Sequence, residues 1–160
     1  MHLPLAQLTT LKTSIAADPA LVALGQSPDA AFAVAAAYNL PATPDFWVWR
    51  TRIAAREVRK NVVWTEYIGR SVGEKSAFEL MMFDGELDGS DPNIRTGILD
   101  IFAGGTATTT RTNLTALAKR LATRSEKLFA AGTGTNATPA TMAVEGDLNY
   151  QDVLDAWARG

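Results

Sequence analysis

Leu5, Leu8, Leu11 and Ile15 recur at intervals of three and four, and this pattern predicts an amphipathic helix over 5–17. Asp18 and Pro19 end it, because a residue ahead of proline avoids the helical region. Ser27, Pro28 and Asp29 supply an N-cap, a first helical position and a charge suited to the helix dipole. The helix they start runs over 30–38 and is made almost wholly of small apolar residues, so it must be buried or closely packed. Phe46, Trp47 and Trp49 then form an aromatic cluster, after the start signal of Pro44 and Asp45. A basic helix is expected over 48–60, anchored by Trp49, Ile53 and Val58. On it Arg52, Arg56 and Arg59 fall at i, i+4 and i+7 and form one charged stripe.

Beyond it, residues 62–68 read as a short turn. A further helix follows Ser71 through Phe78, Leu80, Met81 and Met82, and the acidic stretch 84–91 reads as a loop. Asp91 and Pro92 open a helix with Ile94, Ile98, Leu99 and Ile101 on its apolar face, broken by Gly104 and Gly105. Leu114, Leu117 and Leu121 predict a helix over 108–121. Thr123 and Glu126 match a capping box for a short helix through Leu128 and Phe129. Residues 132–141 are a loop. Met142, Val144, Leu148 and Tyr150 alternate, as in a short strand or hairpin near 142–150 or an extended arm, and 151–158 add a final helical turn or two. The fold class expected is mainly α: a small helical bundle over 1–131, then a loop and C-terminal arm over 132–160. Removing 142–160 is expected to leave the body folded.

Composition narrows the function. The 160 residues suit one domain by the usual prior of roughly 100–200 residues. Alanine, the best helix former, occurs 27 times and threonine 18 times. There is no cysteine, which excludes a disulfide framework, a thiolate metal site and a cysteine nucleophile. The one histidine is His2, which argues against histidine metal sites and Ser–His–Asp catalysis. No apolar run reaches the roughly 18 residues of a membrane span, and no secretion signal is read at the start, so the Asn-x-Thr triplets at Asn113 and Asn136 are read as chance. No catalytic residue, cofactor or metal ligand is assigned, and the chain is expected not to be an enzyme.

Three local features invite a site. Asp84, Glu86, Asp88 and Gly89 resemble part of a calcium loop, but the twelfth position, which needs a bidentate Glu, is Arg95. A solvated turn that caps a helix is the reading adopted. The stretch 132–135 (GTGT) lacks the lysine and the preceding strand of a phosphate loop. The basic stretch Arg50, Arg52, Arg56, Arg59 and Lys60, beside Trp47 and Trp49, fits a partner interface, a solvated face or a nucleic-acid contact. The net charge of −2 argues against nucleic acid as the main partner. That small sum hides blocks. Residues 50–60 carry five basic and one acidic side chain, 79–100 one and six, 111–127 five and one, and 145–155 none and four. Such blocks suit solvated faces, and they also suit head-to-tail assembly.

Residues 91–100 (DPNIRTGILD), 119–129 (KRLATRSEKLF), 132–142 (GTGTNATPATM) and 144–153 (VEGDLNYQDV) resemble small structural proteins of tailed bacteriophages, the head-to-tail connector or adaptor group. The likeness runs from about Leu8 to Val153 and is best from Pro92 onward. It implies a mainly helical protein forming a ring, commonly of twelve copies, below the portal protein of the capsid. Such a ring extends the DNA channel, passes DNA without sequence readout, and meets a stopper or tail protein. C-terminal tails of the group often reach into the portal. The location implied is the virion neck after assembly in the host cytoplasm, with no membrane. Trp47, Trp49, Arg52, Arg56, Arg59, Tyr150, Asp152 and Trp157 are the interface candidates. A stopper, tail terminator or head-decoration protein, and a nucleic-acid-binding accessory protein, remain as alternatives.

Overall fold

The computed structural model describes residues 2–159. In chain order the elements are α1 (Leu5–Ala16), α2 (Pro19–Val22), α3 (Pro28–Tyr38), β1 (Trp47–Trp49), β2 (Ile53–Ala54), α4 (Ala55–Asn61), α5 (Trp64–Ile68) and α6 (Val72–Leu80). Then follow β3 (Glu86–Leu87), α7 (Pro92–Ile101), α8 (Thr108–Leu117), β4 (Lys119–Leu121), α9 (Arg124–Phe129), β5 (Ala130–Ala131), β6 (Thr141–Met142) and α10 (Tyr150–Trp157). The fold is mainly α, as expected, and among the described residues its strands make two-stranded pairs. The chain divides into two compact units. Unit 1 is the chain up to Val48 and from Leu121 onward, and unit 2 is Trp49–Arg120.

The core of unit 1 lies among α1, α3 and α10. Leu8, Leu11 and Ile15 of α1 meet Ala31, Val34, Ala35 and Tyr38 of α3, with Val153 and Ala156 of α10. Alanine at the contacts lets the helix backbones approach, which explains why the small-residue helix is buried. Ser27 caps α3 as predicted, its Oγ accepting the Ala30 N–H at 3.1 Å. The capping box of Thr123 and Glu126 also forms at the start of α9.

The expected C-terminal arm is instead part of this core. Leu148, Val153 and Ala156 are buried. Asn39 clamps the approach to α10: its amide donates to the Leu148 carbonyl at 2.9 Å, and its Oδ1 accepts the Leu148 N–H at 2.7 Å. Lys12 Nζ donates to the Arg159 carbonyl. The boundary expected after residue 131 therefore does not divide the fold, and the segment 142–160 is not dispensable to it. The physical reason lies in spacing: Val153, Ala156 and Trp157 share a helical face, which has an apolar surface to bury. Of the strand expected near 142–150 only Met142 is paired, in β5–β6 with Ala130 opposite Met142 and Ala131 opposite Thr141; residues 143–149 carry no strand and Tyr150 opens α10.

Unit 2 is built around Ile53, Val58, Phe78, Leu87, Ile98, Phe102 and Leu114. The Phe78 and Phe102 rings meet edge to face at 5.2 Å. The helix expected over 48–60 starts only at Ala55. Before it, Val48 and Ile53 are buried in extended chain, and Ile53 pairs opposite Leu87. Aromatic and β-branched residues fit a half-buried extended chain, and this burial overrides the charge periodicity. Arg52 is thus off the helix, and the three-arginine stripe does not form. The helix expected over 108–121 ends at Leu117, and Lys119–Leu121 is extended. Asp91 caps α7, its Oδ1 accepting the Asn93 N–H at 2.7 Å.

Leu148→Ala removes a buried side chain that anchors the C-terminal segment, and about 2–5 kcal/mol of unit 1 stability is expected to go with it. Denaturant unfolding measures this, and an unchanged midpoint would mean that the segment is not core.

Candidate partner interface

The interface candidates divide into those engaged within the fold and those that stay open. Asp152 is 1% exposed. Its Oδ1 accepts the Leu3 N–H at 3.0 Å and its Oδ2 the Asn149 N–H at 3.2 Å. This carboxylate is therefore not open to a partner, which corrects its place among the candidates. Burial of a polar group is costly unless it is hydrogen-bonded, and here the Leu3 bond ties the N-terminal segment to α10. Trp157 is half-buried against the unit 1 core. Tyr150 stacks on Phe32 at 4.3 Å between centroids, and both rings keep an exposed face. Trp47 is half-buried; its backbone N–H donates to the Gly134 carbonyl at 2.7 Å, and its carbonyl accepts the Ala140 N–H at 2.9 Å.

In unit 2, Trp49 borders a small apolar slot of about 130 Å³, with Ile98, Leu99 and Leu114. The Arg95 guanidinium lies 4.2 Å from the centre of its ring, held by the Gly89 and Ser90 carbonyls at 2.9 and 2.6 Å. The chain is so close at Gly89 that a Cβ would lie 2.9 Å from the Arg50 carbonyl oxygen. The acidic loop thus works as a cap and a guanidinium seat. Among the described residues no group of three or more acidic or histidine side chains could hold a metal ion. At 132–135, Gly134 has φ of +66° and packs on the Phe46 ring, and Thr135 and Thr138 bond each other. The loop's polar groups are turned to its own structure.

The arginines separate likewise. Arg50 makes a two-pronged pair with Glu57, at 2.8 and 2.9 Å, which holds the Glu57 carboxyl below its ordinary value. Arg52 reaches Glu86 only at 3.7 Å, with both side chains exposed, a pair worth little in water. Arg56 and Arg59 project from α4 into solvent. Arg59 borders a cavity of about 210 Å³ together with Val62, Trp64, Tyr67, Phe78 and Met82.

Sequence reasoning missed the most open apolar surface. Trp64 and Ile68 of α5, Val72 and Leu80 of α6, and Phe83 beyond it are all exposed, Val72 at 81% and Phe83 at 83%. A signal was present: Phe78 and Leu80 are two apart on a helix and cannot share a face, so burying one exposes the other. Isolated exposed apolar residues are ordinary; here five large ones fall within the twenty residues from Trp64 to Phe83. The elements are held firmly. Glu66 of α5 caps α8, its carboxylate accepting the Thr109 and Thr110 N–H groups at 3.2 and 2.7 Å. The Thr110 side chain and these N–H groups hold the Glu66 carboxyl below its ordinary value of 4.5.

No family model, curated protein or solved structure matches the chain. No helix of the described residues is long and apolar enough to cross a membrane.

Because the folded state favours ionised Glu66, its contribution is present above 4.5 and is lost as pH falls through the lowered folded value. Glu66→Gln is expected to lower the melting temperature at neutral pH, and the difference from wild type should close on acidification. A gap that stays constant with pH would show that the cap does not depend on charge.

Proposed function

We propose that this chain is a structural protein of the tailed-bacteriophage neck, an adaptor that assembles with copies of itself into a ring joining the portal to the stopper or tail. The observation that carries this reading is the open apolar surface of α5 and α6. A chain acting alone leaves Trp64, Ile68, Val72 and Leu80 in water, and an assembled one covers them. The resemblance of residues 91–153 to the adaptor group supplies the kind of assembly, and the alternating charge blocks supply its orientation. Surfaces of opposite sign, on one copy and the next, favour head-to-tail contact and disfavour like-to-like contact.

In this reading the protein acts by packing. Hydrophobic burial at the α5–α6 face drives association, roughly 25 cal/mol for each Å² of apolar surface covered. Charge sets register and rate of encounter. Copies joined this way form a collar through which DNA passes without base-specific contact. The stopper, tail-terminator and decoration roles share this chemistry and differ in the position of the ring in the particle.

The chain mixed with the portal ring of its phage is expected to bind as a multimer, seen by native mass spectrometry and electron microscopy at the portal's outer end. Val72→Asp combined with Leu80→Asp is expected to abolish assembly and leave the melting temperature unchanged, since both side chains are exposed. A wild-type chain that stays monomeric and unbound, or a double variant that assembles normally, would overturn the proposal.

A further inference from the structure

We infer that unit 1 carries a socket for the Phe83–Asp84 tip of a second copy of this chain, an inference that rests on the self-assembly reading above and names the contact that orients it. The socket is a cavity of about 600 Å³ between α1, α3, the turn that follows α3, and α9. Its chemistry has two sides. One wall is apolar, with Ala37, Leu40, Pro41 and Leu128, and Leu40 is 61% exposed. The other is cationic, with Arg124 and Lys127 one helical turn apart on α9.

The two cations are not equivalent. Arg124 is anchored: it pairs with Asp18 at 2.7 Å and lies 4.5 Å from the centre of the Tyr38 ring. Tyr38 in turn donates to Ser14 Oγ at 2.6 Å, so this side of the socket is preset. Among the described residues Lys127 is held only by the Thr43 and Pro44 carbonyls, at 3.3 and 3.5 Å, and lies 5.6 Å from the Phe46 ring centre. Those acceptors are neutral, so its charge is left for an anion. The cavity therefore fits a carboxylate carried next to a large apolar side chain.

The chain itself presents such a pair. Phe83 is the most exposed of the large apolar side chains, and the exposed Asp84 follows it. The tip is fixed in shape: Gly85, at φ of +82°, donates its N–H to the Met82 carbonyl at 2.9 Å, and its carbonyl accepts the Ala55 N–H at 2.8 Å. A pinned tip loses little freedom on docking. A phosphodiester would satisfy Lys127 and leave the apolar wall and Phe83 in water, so charge and shape together favour the protein tip. Such a contact joins different surfaces on the two copies and can repeat from copy to copy.

The test is a charge exchange read by sedimentation of the full chain, with thermal melts confirming that each variant folds. Asp84→Lys alone and Lys127→Glu alone are each expected to weaken self-association by about tenfold or more, and the two changes in one chain to recover most of it. Phe83→Ser should weaken it comparably. Association in wild type that neither reversal changes, or a double variant no better than the singles, overturns the socket while the assembly reading stands. Lys127→Glu that leaves self-association intact and abolishes retention on duplex DNA would make the cavity a phosphate site and overturn the socket. Absence of association in wild type, with or without portal, overturns both.

Discussion

The fold of unit 1 depends on a buried side chain, Asp152, at the point where the segment before α1 meets the first turn of α10. Asp152 has almost no contact with solvent, so its carboxyl oxygens take protein donors in place of water. Two of those donors, the N–H groups of Leu3 and Asn149, belong to segments nearly the whole chain apart. The same side chain closes the capping box that starts α10, with the Asp152 N–H donating to Asn149 Oδ1 at 2.9 Å. One residue therefore fixes where α10 begins and where the N-terminal segment lies. With α10 placed, Val153 and Ala156 complete a core that α1 and α3 would otherwise leave open on one side.

Unit 2 uses a similar device at its surface. Its α8 has no side-chain cap of its own, and Glu66, from a helix more than forty residues earlier, supplies one. Inward-facing Phe78, Ile98, Phe102 and Leu114 then fill the interior. What these short helices cannot do is cover both of their sides. With Phe78 inside, Leu80 and Val72 remain outside, and the open surface read as the assembly face follows from elements too short to wrap it. Unit 1 has a cavity lined by one anchored cation, Arg124, and by Lys127, which meets neutral carbonyls.

Much of this was legible in the residues. The caps at Ser27, Asp91 and Thr123, the helices α1, α3, α6 and α7, and the acidic loop as a helix cap all follow from local rules that the structure obeys. Where local rules failed, a long-range contact had decided. The charge periodicity of Arg52, Arg56 and Arg59 suggested helix, but burial of Val48 and Ile53 held the chain extended through that stretch. The C-terminal segment reads as an arm because 142–150 alternate, and the helical turns over 151–158 do not by themselves show which core they meet. Asp152 reads as an interface candidate because sequence does not reveal that the Leu3 amide lies beside it. The Arg124–Lys127 cavity was invisible for the same reason, since its walls come from three separate stretches of chain.

Hydrogen–deuterium exchange on the chain alone and bound to the portal ring tests the account most directly. The amides of α10 should exchange slowly in both states, as core. Those of α5, α6 and the turn to Gly85 should exchange faster in the free chain and become protected in the assembly. Protection of α10 only on assembly, with α5 and α6 unchanged, would contradict the account by restoring a C-terminal arm and leaving the apolar face without a partner.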